Sequence, residues 1–128
     1  MIVVMTSKTI TVYGISNCDT VKKARAWLTA QGVDYEFHDF KKQGVPERQL
    51  DRWIDALGWE ELVNRKGTTW RTLDAATQAG LVDAGSAIAV MKANSSVIKR
   101  PVVQWPDGQV TVGFDAQAWE KLARRQRC

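Results

Sequence analysis

Residues 9–14 alternate β-branched and aromatic side chains, Thr9-Ile10-Thr11-Val12-Tyr13, before Gly14, and this pattern predicts a strand that ends in a turn. A helix is expected directly after it. Ser16 or Asn17 can supply the N-cap, Asp19 complements the positive end, and Val21, Ala24 and Leu28 recur at helical spacing until Gly32 stops the helix. Residues 35–40 alternate again as a second strand. Strand, helix and strand in about 30 residues form a βαβ unit, whose strands should be parallel and whose crossover should be right-handed.

The middle of the chain changes period. Leu50, Trp53, Ile54 and Leu57 share one helical face, and residues 46–93 read as helical, punctuated by Gly58, Gly67 and Gly80. Helices are expected near 47–57, 60–64, 70–79 and 83–93. The stretch is too short for a separate domain and reads as an insertion. Strand character returns at Pro101-Val102-Val103-Gln104-Trp105, followed by the turn signal Pro106-Asp107-Gly108 and by Gln109-Val110-Thr111-Val112, an antiparallel hairpin. Asp115 then reads as an N-cap, with Phe114 and Trp119 at the spacing of a hydrophobic staple, for a last helix over 116–125. The expectation is one α/β domain over residues 1–128.

Composition narrows the class further. With 128 residues, 45% of them hydrophobic and 25% charged, the chain has the material for one core and lacks the signature of disorder. No apolar run approaches the roughly 18 residues of a spanning helix, and Ile2-Val3-Val4-Met5 is shorter than the roughly 7 residues of a secretory core segment, so a cytoplasmic protein without membrane contact is expected. The net charge of +4 comes from interleaved residues of both signs and marks no nucleic-acid stripe. Lys121, Arg124, Arg125 and Arg127 do cluster, at the end of the last helix, where cations complement the dipole. Two distant cysteines, Cys18 and Cys128, and one histidine make neither a disulfide framework nor a zinc pattern, so no metal is expected.

Cys18 is the residue with chemistry in it. Its expected place is the first turn of a helix that leaves a strand end, where unpaired N–H groups and the helix dipole favour a thiolate. The plain alternative is a small apolar residue buried under the helix. Val21 stands where a dithiol oxidoreductase carries its second cysteine, so an internal C-x-x-C disulfide cannot form. A reacting Cys18 would give a mixed disulfide, a sulfenic acid or an oxyanion adduct, resolved by an outside thiol or by Cys128, which otherwise reads as an incidental tail thiol. His38, in the alternating second strand, suits a half-buried polar position better than a general base. The six tryptophans, Trp27, Trp53, Trp59, Trp70, Trp105 and Trp119, suit core packing better than base stacking.

The run Tyr13-Gly14-Ile15-Ser16-Asn17-Cys18-Asp19-Thr20-Val21-Lys22-Lys23-Ala24-Arg25, the helical insertion, and Ile98-Lys99-Arg100-Pro101-Val102-Val103 before Val112-Gly113-Phe114 resemble the ArsC-like family of arsenate reductases and their Spx and YffB relatives. Gly67-Thr68-Thr69-Trp70-Arg71 brings the chain nearest to the YffB branch. The resemblance implies a thioredoxin-like fold with a four-stranded mixed sheet and a helical insertion, a reactive Cys18 preceded by Asn17, and a cis-proline at Pro101. Arsenate-reducing members place a histidine four residues before the cysteine, an arginine four after it and three distant arginines around the oxyanion. Here Gly14 and Lys22 occupy the two near positions, Arg65 and Arg100 match two of the distant arginines, and residues 109–113 hold no cation for the third.

Lysine is a point charge where arginine offers a planar fork, so the resemblance favours thiol exchange over arsenate reduction. It implies a glutathione-linked monothiol reductase with Cys18 as nucleophile, Lys22, Arg65 and Arg100 as anion contacts, glutathione as co-substrate and no bound cofactor. Lys22 can equally be a solvated helix residue and Arg65 an ordinary helix-end cation. The alternatives are an Spx-like redox-responsive regulator that binds RNA polymerase, whose usual C-x-x-C pair Val21 breaks, and an arsenate reductase.

Overall fold

The computed structural model describes residues 9–127, with side chains described to residue 124. Cys128 and the apolar run Ile2–Met5 lie outside that range, as do the side chains of Arg125 and Arg127. In chain order the elements are β1 (Ile10–Gly14), α1 (Asp19–Ala30), β2 (Tyr35–Asp39), α2 (Phe40–Gln43), α3 (Glu47–Leu57), α4 (Trp59–Leu62), α5 (Thr68–Thr72), α6 (Ala75–Ala79), α7 (Ala84–Ala93), a 3-10 turn (Ser95–Val97), β3 (Val102–Gln104), β4 (Val110–Val112) and α8 (Ala116–Arg127). The chain divides into two compact units, one built from its two ends, up to His38 and from Arg100, and the other from Asp39–Lys99.

The first unit is a four-stranded mixed sheet in the order β2-β1-β3-β4 with α1 and α8. β1 and β3 run antiparallel with Tyr13 opposite Val102, and β3 and β4 form the expected hairpin with Val103 opposite Thr111. Its turn works as the sequence suggests. Gly108 takes a φ of 94°, its N–H reaches the Trp105 carbonyl at 2.9 Å, and Asp107 accepts from the Gln109 N–H. Gly32 stops α1 with a φ of 68°.

Alternation in β1 and β3 and helical periodicity in α1 and α8 converge on one core of Ile10, Val12, Ala24, Leu28, Val103, Trp105 and Trp119. Trp119 sits at its centre. The rings of Phe114, Trp105 and Trp27 meet it edge-on at 4.9, 5.3 and 5.8 Å between centroids. The Phe114–Trp119 contact is the expected staple, and the Asp115 carboxylate caps α8 by accepting from the N–H groups of Gln117 and Ala118. Arg25 ties α1 to β2, lying over the Phe37 ring and donating to the Tyr35 hydroxyl.

The second unit is helical, as its period suggests, with three departures. The helix expected near 70–79 is two helices, because Leu73 is extended and the Asp74 carboxylate accepts from the Thr77 N–H at 2.7 Å, restarting the chain as a new N-cap. The second strand ends at Asp39 and not at Phe40. Asp39 caps the short α2 through the Lys41 N–H, so Phe40 turns inward to meet Trp53. The helix expected near 60–64 stops at Leu62, and Val63 instead bridges antiparallel to Ile98. Hydrogen bonds from Asn64 to Val97 and from Lys99 to Leu62, each 2.7 Å, fasten this closure. Asp83 and Ser86 form a complete capping box at the start of α7, and Lys92 on α7 pairs with Glu47 on α3 at 2.8 Å.

Core packing accounts for Trp53, Trp105 and Trp119, which are buried, but not for Trp59 and Trp70. Those two are half-buried and flank the Arg65 guanidinium. Among the described residues no helix is long and apolar enough to cross a membrane.

Replacing the hub of the first core exposes its partners and leaves a cavity that a rigid sheet cannot close. Trp119→Ala is expected to destabilise the protein by about 3–5 kcal/mol, measured as a lowered midpoint in urea unfolding, whereas loss of the cap in Asp115→Ala should cost about 1 kcal/mol.

Candidate functional site

The site follows from where two chain segments leave the sheet. β1 runs out at Gly14, and Ile15-Ser16-Asn17 carries the chain to α1. On the neighbouring strand the last paired residue is Val102, and the next residues out are Pro101 and Arg100. The register therefore brings Arg100 to the end of the sheet where α1 begins. The Arg100–Pro101 peptide is cis, Pro101 is buried, and its carbonyl accepts from the Gly113 N–H at 2.9 Å.

Cys18 is the N-cap residue of α1. Its backbone is extended and its carbonyl takes the first helical hydrogen bond, from the Lys22 N–H at 2.9 Å. This corrects the expected cap, because Ser16 and Asn17 are both exposed and precede the capping position. Asn17 is the residue immediately before the cysteine, outside the helix. At an N-cap the side chain faces the N–H groups of the second and third helical residues, here Thr20 and Val21. A protonated thiol is a weak acceptor, and no regular side-chain cap hydrogen bond closes on it. The charged form gains more. Partial burial pushes the Cys18 thiol up, but the Val21 N–H, the hydrogen bond and charge of the Arg100 guanidinium, and the Thr20 N–H together outweigh it and hold the thiol below its ordinary value.

The cations expected around the sulfur are placed differently from one another. Arg100, half-buried, acts on it directly. Lys22 engages Cys18 through its backbone, while its exposed ammonium is not among the groups that lower the thiol. Arg65 belongs to the second unit, between the rings of Trp59 and Trp70 at 5.7 and 5.6 Å, where it lines a surface cleft with Glu60, Val63, Asn64, Lys66 and Lys99. His38 is half-buried against the Tyr13 ring, and the Tyr13 hydroxyl donates to the Gln104 side-chain carbonyl.

Sequence reasoning missed Thr20 and Val21, because their contribution comes from the backbone. The only available signal was positional: once Cys18 is placed as N-cap, the donors two and three residues later follow for any side chains there. Among the described residues no group of three or more His, Cys, Asp or Glu side chains is gathered to hold a metal ion.

The arrangement as a whole can stabilise an attacking thiolate and leaves no neighbouring thiol at position 21 to resolve its product. Comparison with known proteins places the chain in a family. The profile of the ArsC family matches residues 13–122. An uncharacterized protein of Haemophilus influenzae is 40% identical over 111 residues, covering 87% of this chain and 96% of its own. The solved structure of the YffB (PA3664) protein superposes with a TM-score of 0.84 at 45% identity, over 89% of this chain and 98% of that one. An arsenate reductase (ArsC) related protein from Brucella melitensis is 47% identical, with a TM-score of 0.70, over 91% and 96% of the two chains. The fold is thioredoxin-like, and the chain belongs to the ArsC family.

Proposed function

We propose that the protein is a glutathione-linked monothiol reductase. The observation that supports this reading best is the meeting of the Cys18 sulfur with the Arg100 guanidinium and the first-turn N–H groups of α1, at a helix start that lacks a second cysteine. In the first step the Cys18 thiolate attacks the glutathionyl sulfur of a mixed disulfide. A bond forms between Cys18 and glutathione, the substrate disulfide breaks, and the substrate leaves as a thiolate that takes a proton from water. In the second step a glutathione thiolate attacks that same glutathionyl sulfur, releasing oxidised glutathione and restoring the Cys18 thiolate. Per cycle the substrate sulfur is reduced to a thiol and one glutathione thiol is oxidised, while the transferred glutathionyl sulfur stays at the disulfide level throughout.

Arg100 bears on the two steps differently: it raises the fraction of Cys18 present as attacking thiolate in the first and stabilises Cys18 as the leaving group of the second. Lys22, exposed one turn further along α1, is an anion contact in this reading, suited to a carboxylate of glutathione, and Arg65 is a candidate anion contact within the second unit. Oxyanion reduction has less support, because Lys22 replaces a planar donor and residues 109–113 carry no cation.

The rate of Cys18 alkylation against pH, in a Cys128→Ser background, tests the foundation. The wild-type midpoint is expected below the ordinary thiol range. Arg100→Ala removes a cation that favours the charged form, so its midpoint should move to higher pH and its neutral-pH rate should fall severalfold. An ordinary midpoint in the wild type would remove the activated nucleophile.

Exposure to oxidised glutathione, followed by mass spectrometry, should place the adduct on Cys18, and added glutathione should release it. Failure to form that adduct defeats the reading. Rapid glutathione-dependent formation of arsenite from arsenate, or recovery of stoichiometric RNA polymerase subunits without turnover, would replace it.

A further inference from the structure

Gly14 closes β1 and is buried, yet its φ is not among the positive ones that single out Gly32, Gly44, Gly58, Gly108 and Gly113. Backbone freedom therefore does not explain a glycine there. Space does. A Cβ on Gly14 would stand 2.8 Å from Cγ2 of Val21, 3.5 Å from its Cγ1 and 3.7 Å from its Cβ. The first distance is shorter than carbon atoms tolerate without movement, and the atom met is not the end of a pliable chain. Val21 is fully buried inside a helix, and a β-branched side chain there has essentially one rotamer.

We propose that Gly14 and Val21 form a positioning pair, in which the bare strand end seats the Val21 isopropyl group and thereby holds the first turn of α1 so that the Val21 N–H, the donor of the third helical residue, faces the side chain of the N-cap Cys18. The inference rests on the reading of Cys18 as a thiolate nucleophile. It adds residues that touch no substrate but set the donor geometry at the reacting atom. Val21 enters twice: its side chain anchors the turn, and its N–H is the foremost of the groups that favour the charged sulfur. Any atom added at position 14 must push the anchor away and carry the donor with it, and a hydrogen bond to an anion weakens as it lengthens.

The geometry also predicts its own repair. In Gly14→Ala/Val21→Ala both γ carbons are gone, and the nearest remaining approach is Cβ to Cβ at 3.7 Å, an ordinary van der Waals contact. The test is the alkylation-against-pH profile of Cys18 in the Cys128→Ser background, for the wild type, the two single variants and the double variant, with thermal unfolding followed in parallel.

Gly14→Ala and Val21→Ala are each expected to raise the midpoint and slow the neutral-pH reaction severalfold, and the double variant is expected to return most of the way to wild type. A folded Gly14→Ala with the wild-type midpoint overturns the proposal, as does a folded double variant whose shift is the sum of the single ones. Should Gly14→Ala fail to fold, the comparison passes to the double variant against Val21→Ala: a lower midpoint in the double supports the pair, and an equal one overturns it. These outcomes are differences between variants. An ordinary wild-type midpoint would instead defeat the nucleophile itself.

Discussion

An anionic sulfur withdrawn from water must find in the protein what it loses in hydration. At Cys18 the withdrawal is partial and the replacement comes from three directions: a guanidinium on the neighbouring strand segment and two backbone N–H groups of the helix that the cysteine itself begins. Each direction has its own structural guarantee. The antiparallel register of β1 and β3 carries Arg100 to the mouth of α1, and the cap position turns the sulfur toward the donors of the first turn. The core around Trp119 holds the sheet and the two helices of this unit as one body. Chemistry at one atom thus depends on order set many residues away in sequence.

Much of this was legible in the chain because the signals are local. Gly32, the Pro106-Asp107-Gly108 turn and the Asp115 cap each state a backbone requirement within a few residues, and each is met in the structure. Local signals fail where two of them compete. Residues 70–79 carry helical periodicity and also Asp74, whose carboxylate offers the backbone a new start, and the carboxylate wins. They fail as well where the outcome is settled by distant partners. Nothing near Val63 announces Ile98, and nothing in the spacing of Trp59 and Trp70 says that an arginine lies between them.

The candidate site divides along the same line. Cys18 was visible from its place between a strand and a helix, and Arg100 from the family resemblance, since 82 positions separate it from the cysteine. Capping propensity sets the helix start one or two residues early because serine and asparagine are the usual capping residues, and a cysteine in that role carries no propensity signal. Helical spacing puts the Lys22 side chain one turn from the cysteine without fixing where its ammonium points; here the residue is exposed.

The close approach of Val21 to Gly14 has a consequence for the order in which such a site can change over evolutionary time. A lineage that acquires any side chain at position 14 while valine remains at 21 passes through a crowded intermediate, whereas one that first trims position 21 does not. Cysteine at 21 has one γ atom in place of two, so the step that would install a dithiol also vacates room beside the strand end. The two histories, gaining a resolving thiol and gaining a side chain four residues before the nucleophile, are then coupled by sterics, with the accessible path running through residue 21 first.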